Sequence, residues 1–389
     1  MFILEKPYVS DLLKNTLIEL NAKVLSNDTA EAALLGSPLS LERGKNFIDS
    51  YKSNPNQPVY SNSENAIDWI DNNLNFNGLP QKIRLFKDKA AFRDLVKDLY
   101  PDFFYKTVAF EDLDSVNPAD LPIPCVIKPS VGFFSLGVHM VESIKGWHEA
   151  VAEIKDEVEH IKTMYPAKVL ELDMFIIEQC IEGEEFAVDV YFDEEGKPVI
   201  LNIFGHLFAS SDDVSDRVYI TSTEIIKKWH AKFEALLAEI GKRTELKNFP
   251  LHIEIRGDDK GNLGVIEVNP MRFAGWCVTD LAYFAYGINP YKYFMQGLTP
   301  DWNEIFEKNK DKVYAMIIAD VDSSIDRTKI KKIDYEAFNS YFTKPLELRK
   351  IDYKIFPVFA FMFAEVEKDN MAELKNVLHA DFSKYFEFE

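Results

Sequence analysis

Along the first eighty residues, short segments with the pattern of a β-strand alternate with segments whose apolar residues have the spacing of an α-helix. Residues 2–4 are a short apolar strand pattern, residues 22–25 offer a second strand, and between 9 and 20 apolar residues recur at helical spacing. A third run at 58–60 precedes another helical pattern through Ile67 and Ile70. This alternation of strand and helix predicts a parallel, Rossmann-like α/β unit over residues 1–80. The unit has no G-x-G-x-x-G sequence, so dinucleotide binding is not supported there.

The pattern from 81 to 300 combines helices with a long series of strands. A helix is predicted after Asp88, a good N-cap residue, with an apolar stripe from Phe92 to Leu99. Strands dominate from 125 to 269, interrupted by a mixed-charge helix near 146–164 and by a second helix after 221–224, which has capping-box spacing. Gly241 is suited to end this second helix. We therefore predict an α+β body with a subdomain at about 110–182 and a core at about 183–300.

The remaining segment, 305–389, has two strong strand patterns at 313–319 and 355–367. Helical patterns near 335–341 and 371–378 accompany them. These patterns predict a C-terminal α+β extension, and the chain as a whole is predicted to be of mixed α/β (α+β) class. A length of 389 residues is sufficient for two or three domains.

A net charge of −20 narrows the classes of partner. Nucleic-acid binding needs clustered Lys and Arg to neutralise phosphates, and an anionic membrane surface repels an acidic protein, so neither partner is expected. The three cysteines are far apart in sequence, which predicts free thiols rather than a disulfide framework or a zinc site. The sequence shows neither a signal-peptide pattern nor an apolar run of about 20 residues. We expect a cytoplasmic protein.

The first candidate for chemistry is a lysine followed by a glycine-containing loop. Lys128 ends a predicted strand, and the loop after it contains Gly132, Ser135 and Gly137. Glycines allow backbone N–H groups to approach a polyphosphate, a serine can donate its hydroxyl, and the lysine supplies a positive charge. The lysine precedes the loop, so this is not a Walker A sequence. A flexible loop beside a solvated lysine is the alternative.

The second candidate is Glu185 at the start of a clearly alternating strand. Residues 186, 188, 190 and 192 are apolar, so Glu185 faces away from that apolar layer. A carboxylate in this position is able to accept hydrogen bonds from both hydroxyls of a ribose. An acidic surface hairpin is the alternative.

The third candidate is a pair of carboxylates on a predicted hairpin, with strands at 250–256 and 263–269. Strict alternation places Glu254, Glu267 and Asn269 on one face, together with Leu263 and Val265, and brings the two glutamates within roughly 5–8 Å of each other. Two carboxylates so close need neutralising, and a hard divalent cation such as Mg²⁺ fits oxygen ligands best. An ion pair with Arg256 is the alternative. Arg272 adds a cation beside this face, suited to a carboxylate or a phosphoryl group.

Together and in this order, these segments resemble the ATP-grasp superfamily, especially its carboxylate–amine ligase branch, over about residues 80–300. The α/β unit is similar to the domain that precedes the ATP-grasp fold in that family. The resemblance implies a series of nucleotide-binding residues: Lys89 and Lys128 for the phosphates, the loop with Gly132 and Ser135 as their lid, Glu178, Gln179 and Ile181 at the adenine hinge, and Glu185 for the ribose. It also implies the residues around the reaction: Glu254, Glu267 and Asn269 as magnesium ligands, and Arg272 and Lys128 as catalytic cations. The family sequence Glu-x-Asn-Pro-Arg is interrupted here by Met271, which displaces Arg272 by one position.

The resemblance implies an ATP-dependent, ADP-forming ligase with Mg²⁺, or alternatively Mn²⁺, as its metal. It would activate a small-molecule carboxylate as an acyl phosphate and couple it to an amine, or less often a thiol. Arg217 falls where related ligases place a substrate-shaping loop, and it would hold a substrate carboxylate or the γ-phosphate unless it is a solvated loop residue. A small-molecule kinase of the same fold and a nucleotide-binding module without catalysis are the alternative functions. The C-terminal extension would either cover the site or form a homodimer interface.

Overall fold

The first part of the chain is a small parallel α/β layer. The computed structural model describes residues 1–132, 137–164, 173–209 and 216–389. β1 (Phe2–Ile3) pairs in parallel with β2 (Tyr60–Ser61), and isolated parallel bridges join Phe2 to Val24 and Leu25 to Glu42. The helices of this layer are α1 (Asp11–Glu19), α2 (Asp28–Ala33), α3 (Gly44–Ser53), α4 (Ile67–Asn73) and α5 (Leu79–Lys87). The parallel pairing agrees with the Rossmann-like layer that the alternating sequence predicts.

A four-stranded antiparallel sheet, here called the small sheet, follows within the described residues. It is preceded by α6 (Lys89–Val96), which begins after its N-cap Asp88 as predicted. The small sheet has the order β3-β6-β4-β5 and consists of β3 (Tyr105–Ala109), β4 (Cys125–Pro129), β5 (His139–Val141) and β6 (Met174–Gln179). α7 (Ile144–Met164) packs on one face, where Trp147 and Phe175 are buried in the core.

A larger antiparallel sheet, here called the large sheet, has eight strands among the described residues. Its order is β11-β10-β7-β8-β9-β12-β15-β14. The strands from the predicted core are β7 (Glu184–Phe192), β8 (Pro198–Leu207), β9 (Val218–Ser222), β10 (Phe249–Gly257) and β11 (Leu263–Pro270). Those from the C-terminal segment are β12 (Lys312–Asp320), β14 (Pro345–Lys350) and β15 (Val358–Glu367), so one sheet crosses the predicted boundary near residue 300.

α8 (Thr223–Thr244) covers one face of the large sheet. It begins after Ser222, whose side chain accepts a hydrogen bond from the amide of Ile225. The expectation that Gly241 ends this helix is wrong, because the helix continues to Thr244 and is closed by Glu245 in the left-handed region (φ 51°). Gly241 is needed for packing instead, since a Cβ there would lie 2.3 Å from Cε1 of Phe192. The helix therefore packs closely against β7.

The remaining elements complete the C-terminal part. Its helices are α9 (Leu281–Tyr286), α10 (Pro290–Gln296), α11 (Trp302–Lys308), α12 (Tyr335–Asn339) and α13 (Ala372–Leu378). β13 (Ile330–Ile333) and β16 (Phe386–Phe388) form a separate antiparallel pair. In the part of the chain that the structure describes, no helix has both the length and the hydropathy needed to cross a bilayer.

Candidate functional site

Polar side chains form three rows across the face of the large sheet that lies opposite α8. They occupy this face because alternate residues of the same strands, such as Val188 and Ile253, point into the core under α8. Counted from the start of β7, the first row holds His206, Glu185 and Arg256, the second row Glu254 and Glu267, and the third row Asn202, Asp189, His252 and Asn269. Sequence alternation therefore brings four of the predicted site residues, Glu185, Glu254, Glu267 and Asn269, onto one surface.

The two glutamates of the second row lie directly opposite each other on β10 and β11, as predicted. The neighbouring register differs from strict alternation, because Ile255 opposes Val265 and leaves Ile266 as the extra residue of a β-bulge. Val265 consequently packs in the core with Val268, so its predicted place beside Glu267 is wrong. Leu263 likewise packs against the core. The bulge allows β11 to bury both valines while Glu267 stays in the second row.

The charges around the second row differ between its two carboxylates. Burial and the nearby charge of Glu267 raise the pKa of Glu254 to about 8. Burial opposes ionisation of Glu267 as well, but Lys89 and Lys87 hold the pKa of Glu267 below its usual range. The Nζ atom of Lys89 lies 3.4 Å from Oε2 of Glu267. One carboxylate is thus paired with a lysine, whereas the other retains its proton near neutral pH.

Lys89 is held in place by the start of α6. Asp88 accepts hydrogen bonds from the amides of Ala90 and Ala91, and the amide of Lys89 donates to the carbonyl of Ser130 at 2.9 Å. The hydroxyl of Ser130 also donates to Asp88 at 2.5 Å. The helix start is therefore fixed to the segment that follows β4, which brings Lys89 close to the second row.

Arg256 does not neutralise the second row. Its Nε and Nη2 atoms donate to Oε2 of Glu185 at 3.1 and 2.9 Å, and its Nη1 donates to the carbonyl of Ile181 at 3.0 Å. The predicted alternative of an ion pair between Arg256 and Glu254 or Glu267 is therefore not formed. Burial opposes ionisation of Glu185, but hydrogen bonds from His206 and Arg256 lower its pKa. Glu185 is thus an ionised group at the open end of the site.

Lys128 is buried between the two sheets. Its Nζ lies 2.7 Å from Oε2 of Glu178 and 3.5 Å from the carbonyl oxygen of Ile266 on β11. Arg93, which the sequence did not single out, holds the other oxygen of Glu178 at 2.5 Å. Burial lowers the pKa of Lys128, although Glu178 opposes this shift. The side chain of Glu178, expected near adenine, is instead committed to two buried cations.

The residues of the predicted hinge connect the small sheet to the large sheet. Gln179 ends β6, and its Oε1 accepts a hydrogen bond from the amide of Phe104 at 2.8 Å. Ile181 lies in the four-residue link to β7 and packs on Gly264, where a Cβ would be 2.4 Å from Cγ2 of Ile181. Gly132 lies beside Pro129 at the start of the predicted lid, whereas Ser135 lies outside the described residues.

Arg272 is held by Glu64 from the N-terminal layer. Its Nε and Nη2 atoms donate to Oε1 of Glu64 at 3.2 and 3.0 Å, and Lys87 contacts the other oxygen at 2.5 Å. Although Glu64 is buried, Arg272 and Lys87 lower its pKa to about 2. The inserted Met271 is buried and adopts a left-handed conformation (φ 69°). The charge of Arg272 also acts on Glu254, so the displaced arginine remains close to the second row.

Arg217 is directed away from the three rows. Its Nη1 donates to the carbonyls of Leu378 and Ala380, both at 3.1 Å, and its Nη2 lies 2.9 Å from Asp320. The guanidinium also lies over the ring of Phe382, 5.0 Å from its centroid. These contacts join β9 to the end of α13 and do not support the expected role in binding substrate. We therefore leave Arg217 out of the proposed site.

Open space adjoins the first and second rows. A small recess of about 30 Å³ is lined by Glu185, His206, Tyr219 and Glu254, among others. A wider cleft of about 660 Å³ continues from Glu185 and His206 past Arg256 towards α8. Among the described residues, no group of three or more His, Cys, Asp and Glu side chains is arranged to hold a metal ion unaided. A metal at Glu254 and Glu267 would therefore need oxygen ligands from a bound molecule as well.

Comparisons with known proteins agree with this architecture. Residues 121–280 match the sequence model of the ATP-grasp domain. No protein of curated function has a significantly similar sequence. The L-amino acid ligase from Bacillus licheniformis superposes with a TM-score of 0.69 at 18% identity, over 100% of this chain and 98% of that chain.

Two nucleotide-bound structures are also similar to this chain. The biotin carboxylase complex with β-γ-ATP from Campylobacter jejuni has a TM-score of 0.67 at 12% identity, over 100% of this chain and 92% of that chain. The biotin carboxylase domain dimer of the Hydrogenobacter thermophilus 2-oxoglutarate carboxylase, with MgADP, ADP and bicarbonate, has a TM-score of 0.64 at 12% identity, over 100% and 90% of the two chains. Because these identities are only 12–18%, the similarity shows a shared fold and nothing further.

Residues 121–280 therefore match an ATP-grasp domain, and the fold of the whole chain, with its two antiparallel sheets and the charged cleft between them, is similar to that of the ligase and carboxylase structures.

Proposed function

We propose that this protein is an ATP-dependent, ADP-forming ligase that activates a small-molecule carboxylate and couples it to an amine. The observation that carries the proposal is the direct opposition of Glu254 and Glu267 beside Lys89. Two opposed carboxylates, one of which keeps a proton near neutral pH, match the need of a divalent cation for oxygen ligands.

The residues around this pair suggest where each part of ATP would bind. Glu254 and Glu267, with Asn269 beside them in the third row, would hold Mg²⁺ (or Mn²⁺), which supplies a positive charge to the β- and γ-phosphates when bound. Lys89 and Lys128 would contact the phosphate oxygens. Glu185, ionised and close to the recess, would accept hydrogen bonds from the ribose.

The adenine would lie between the hinge residues and the wider cleft. Gln179 and Ile181 would offer backbone groups to it, and Gly132 would begin the cover over the phosphates. The buried side chain of Glu178 would act through Lys128, which it holds in place at 2.7 Å. The similarity to nucleotide-bound biotin carboxylases supports a nucleotide in this cleft.

The proposed reaction has two steps. A substrate carboxylate oxygen attacks the γ-phosphorus of ATP, the bond from that phosphorus to the bridging oxygen breaks, and ADP leaves with the bonding electrons. The nitrogen of the amine then attacks the acyl carbon, the bond to phosphate breaks, and the nitrogen loses a proton. Arg272, oriented by Glu64, would stabilise negative charge on the transferring group or on the substrate carboxylate.

The similarity to an L-amino acid ligase favours amino acids as the first carboxylates and amines to be tested. The experiment is a screen for ADP release with pairs of carboxylic acids and amines, with the amide product identified by mass spectrometry. Glu267→Gln should lower the rate by about 100-fold or more, because even indirect partners of a metal ligand often cost roughly 10–100-fold. Glu304→Gln, in a surface pair with Lys308 on α11, is the matched control and should retain full activity.

Other outcomes would favour a different function. A stable phosphorylated product without an amide would identify a small-molecule kinase, and tight nucleotide binding without turnover would identify a binding module. Phosphate release that no carboxylate stimulates would refute the proposed ligase.

A further inference from the structure

The third row contains a buried carboxylate to which the proposed reaction gives no role. Asp189 on β7 is fully buried, and its Oδ1 makes two hydrogen bonds. Nδ1 of His252 is within hydrogen-bonding distance at 2.9 Å, and the backbone amide of Ala274 donates at 2.8 Å. Removing a carboxylate from water is costly unless it is well hydrogen-bonded, so an apolar residue would suit this core better if stability alone mattered.

The first of these hydrogen bonds leads to the second row. Nδ1 of His252 is directed to the carboxylate of Asp189, and Nε2 is on the other side of the ring. Nε2 lies 3.9 Å from Oε1 of Glu254. The imidazole ring therefore fills the space between the buried carboxylate and a proposed metal ligand, and it limits where the side chain of Glu254 can lie.

The second hydrogen bond leads to the segment that carries Arg272. Ala274 lies between Arg272 and two residues in the left-handed region, Trp276 (φ 48°) and Cys277 (φ 62°). Such conformations cost free energy for residues with a side chain and persist only when the surroundings hold them. The amide of Ala274 is held by the same oxygen that holds His252, so one atom of Asp189 is connected to both sides of the proposed reaction centre.

We propose that Asp189 is a positioning residue that fixes Glu254, through His252, and the Arg272 segment, through the amide of Ala274, relative to each other. The inference rests on the proposed function, because it takes Glu254 as a metal ligand and Arg272 as the cation of the reaction. Partners that orient a metal ligand in this way are known to matter for metal affinity as well as for activity.

The test measures binding of ADP by calorimetry over a series of MgCl₂ concentrations, which requires no turnover. Asp189→Asn keeps the size of the side chain but removes its charge and one acceptor oxygen. We expect it to raise the Mg²⁺ concentration for half-maximal ADP binding by about tenfold or more. Thr221→Val is the matched control, because Thr221 is equally buried and donates to Asn202 at 2.8 Å in the same region of the sheet. The control should leave the Mg²⁺ requirement unchanged.

A second variant tests the contact through His252 separately from the contact to the amide of Ala274. It also provides the test if Asp189→Asn does not fold. His252→Asn retains an N–H close to the position of Nδ1, but it lacks the atom that faces Glu254. It should raise the Mg²⁺ requirement while leaving the KM for the carboxylate close to that of the wild type. Asp189→Asn should raise both quantities, since it loosens the Arg272 segment as well.

The results distinguish this inference from the proposed function. If Asp189→Asn lowers the melting temperature but binds ADP with the Mg²⁺ requirement of the wild type, Asp189 is merely structural and the inference fails. If the wild type binds ADP with Mg²⁺ but no carboxylate stimulates turnover, the ligase proposal fails while the binding experiment still tests Asp189. If the wild type does not bind ADP, both fail.

Discussion

The raised pKa of Glu254 predicts that Mg²⁺ binding is coupled to the release of a proton. At pH 6 Glu254 is protonated, because its pKa is about 8, whereas Lys89 and Lys87 keep Glu267 ionised. A metal ion must displace the proton from Glu254 in order to bind there. Raising the pH from 6 to 8 should therefore strengthen the Mg²⁺-dependent binding of ADP.

The magnitude follows from a single displaced proton. Below the pKa, the affinity gains about one factor of ten for each pH unit. Because Glu254 is only half ionised at pH 8, the gain between pH 6 and 8 is about 50-fold, or about 2.3 kcal/mol. The side chain of Glu254 is about one-third exposed (34%), and screening by solvent will reduce this value. We therefore expect a gain of at least about tenfold.

The assay is calorimetry of ADP with MgCl₂ at pH 6, 7 and 8, in two buffers that differ in their enthalpy of ionisation. The terminal phosphate of ADP also titrates in this range, so the quantity of interest is the difference between the wild type and Glu254→Gln. The wild type should release up to one proton more than Glu254→Gln at pH 7, and Glu304→Gln should behave like the wild type. Equal proton release by the wild type and Glu254→Gln would refute the reasoning.

The raised pKa of Glu254 also predicts how the free energy of unfolding depends on pH in the absence of metal. The folded state holds a proton on Glu254 up to a pKa of about 8, whereas an unfolded glutamate has a pKa of about 4.3. The folded state thus binds more protons between these values, so this group makes the free energy of unfolding fall as the pH rises from about 4.3 to 8. Glu254→Gln should remove that decline in thermal unfolding experiments.

Two further predictions concern residues outside the proposed metal ligands. Arg217→Met should lower the free energy of unfolding by about 2 kcal/mol, because it removes hydrogen bonds from a charged group, and should leave the KM for ATP unchanged; an unchanged melting temperature with a raised KM would instead support the original substrate role. Gly264→Ala should cost about 1–3 kcal/mol and raise the KM for ATP, because the new methyl group must displace Ile181 at the hinge. Gly44→Ala, which meets no atom within 4 Å, is its control and should be close to neutral.

Much of the second row could be predicted because it depends on local patterns. Alternation along β10 and β11 placed Glu254 opposite Glu267, and the turn between the strands allowed only a narrow range of registers. The cap of α6 was predictable for the same reason, since Asp88 binds amides only two and three residues away. The bulge at Ile266 was not, because a single added residue leaves no clear mark in the alternation.

The contacts that the sequence did not reveal join residues that are far apart along the chain. Glu178 looked like a hinge residue, but its partner Arg93 lies on α6 and no spacing rule connects the two. Arg217 was placed in a loop beside the site, whereas its carbonyl partners come from the end of α13. Which distant residues form such pairs depends on how whole helices and strands pack, so these contacts can be identified only from the tertiary structure.

The continuity of the large sheet has a consequence for the order in which the chain can fold during synthesis. β9 pairs with β8 on one side and with β12 on the other, and β12 is translated after every strand that carries the three rows. Until residues 312–320 leave the ribosome, the backbone N–H and C=O groups along one edge of β9 are unpaired, and such an edge is a template for strands of other chains. We therefore expect a nascent or truncated chain ending near residue 304 to self-associate, although it contains all the proposed metal ligands.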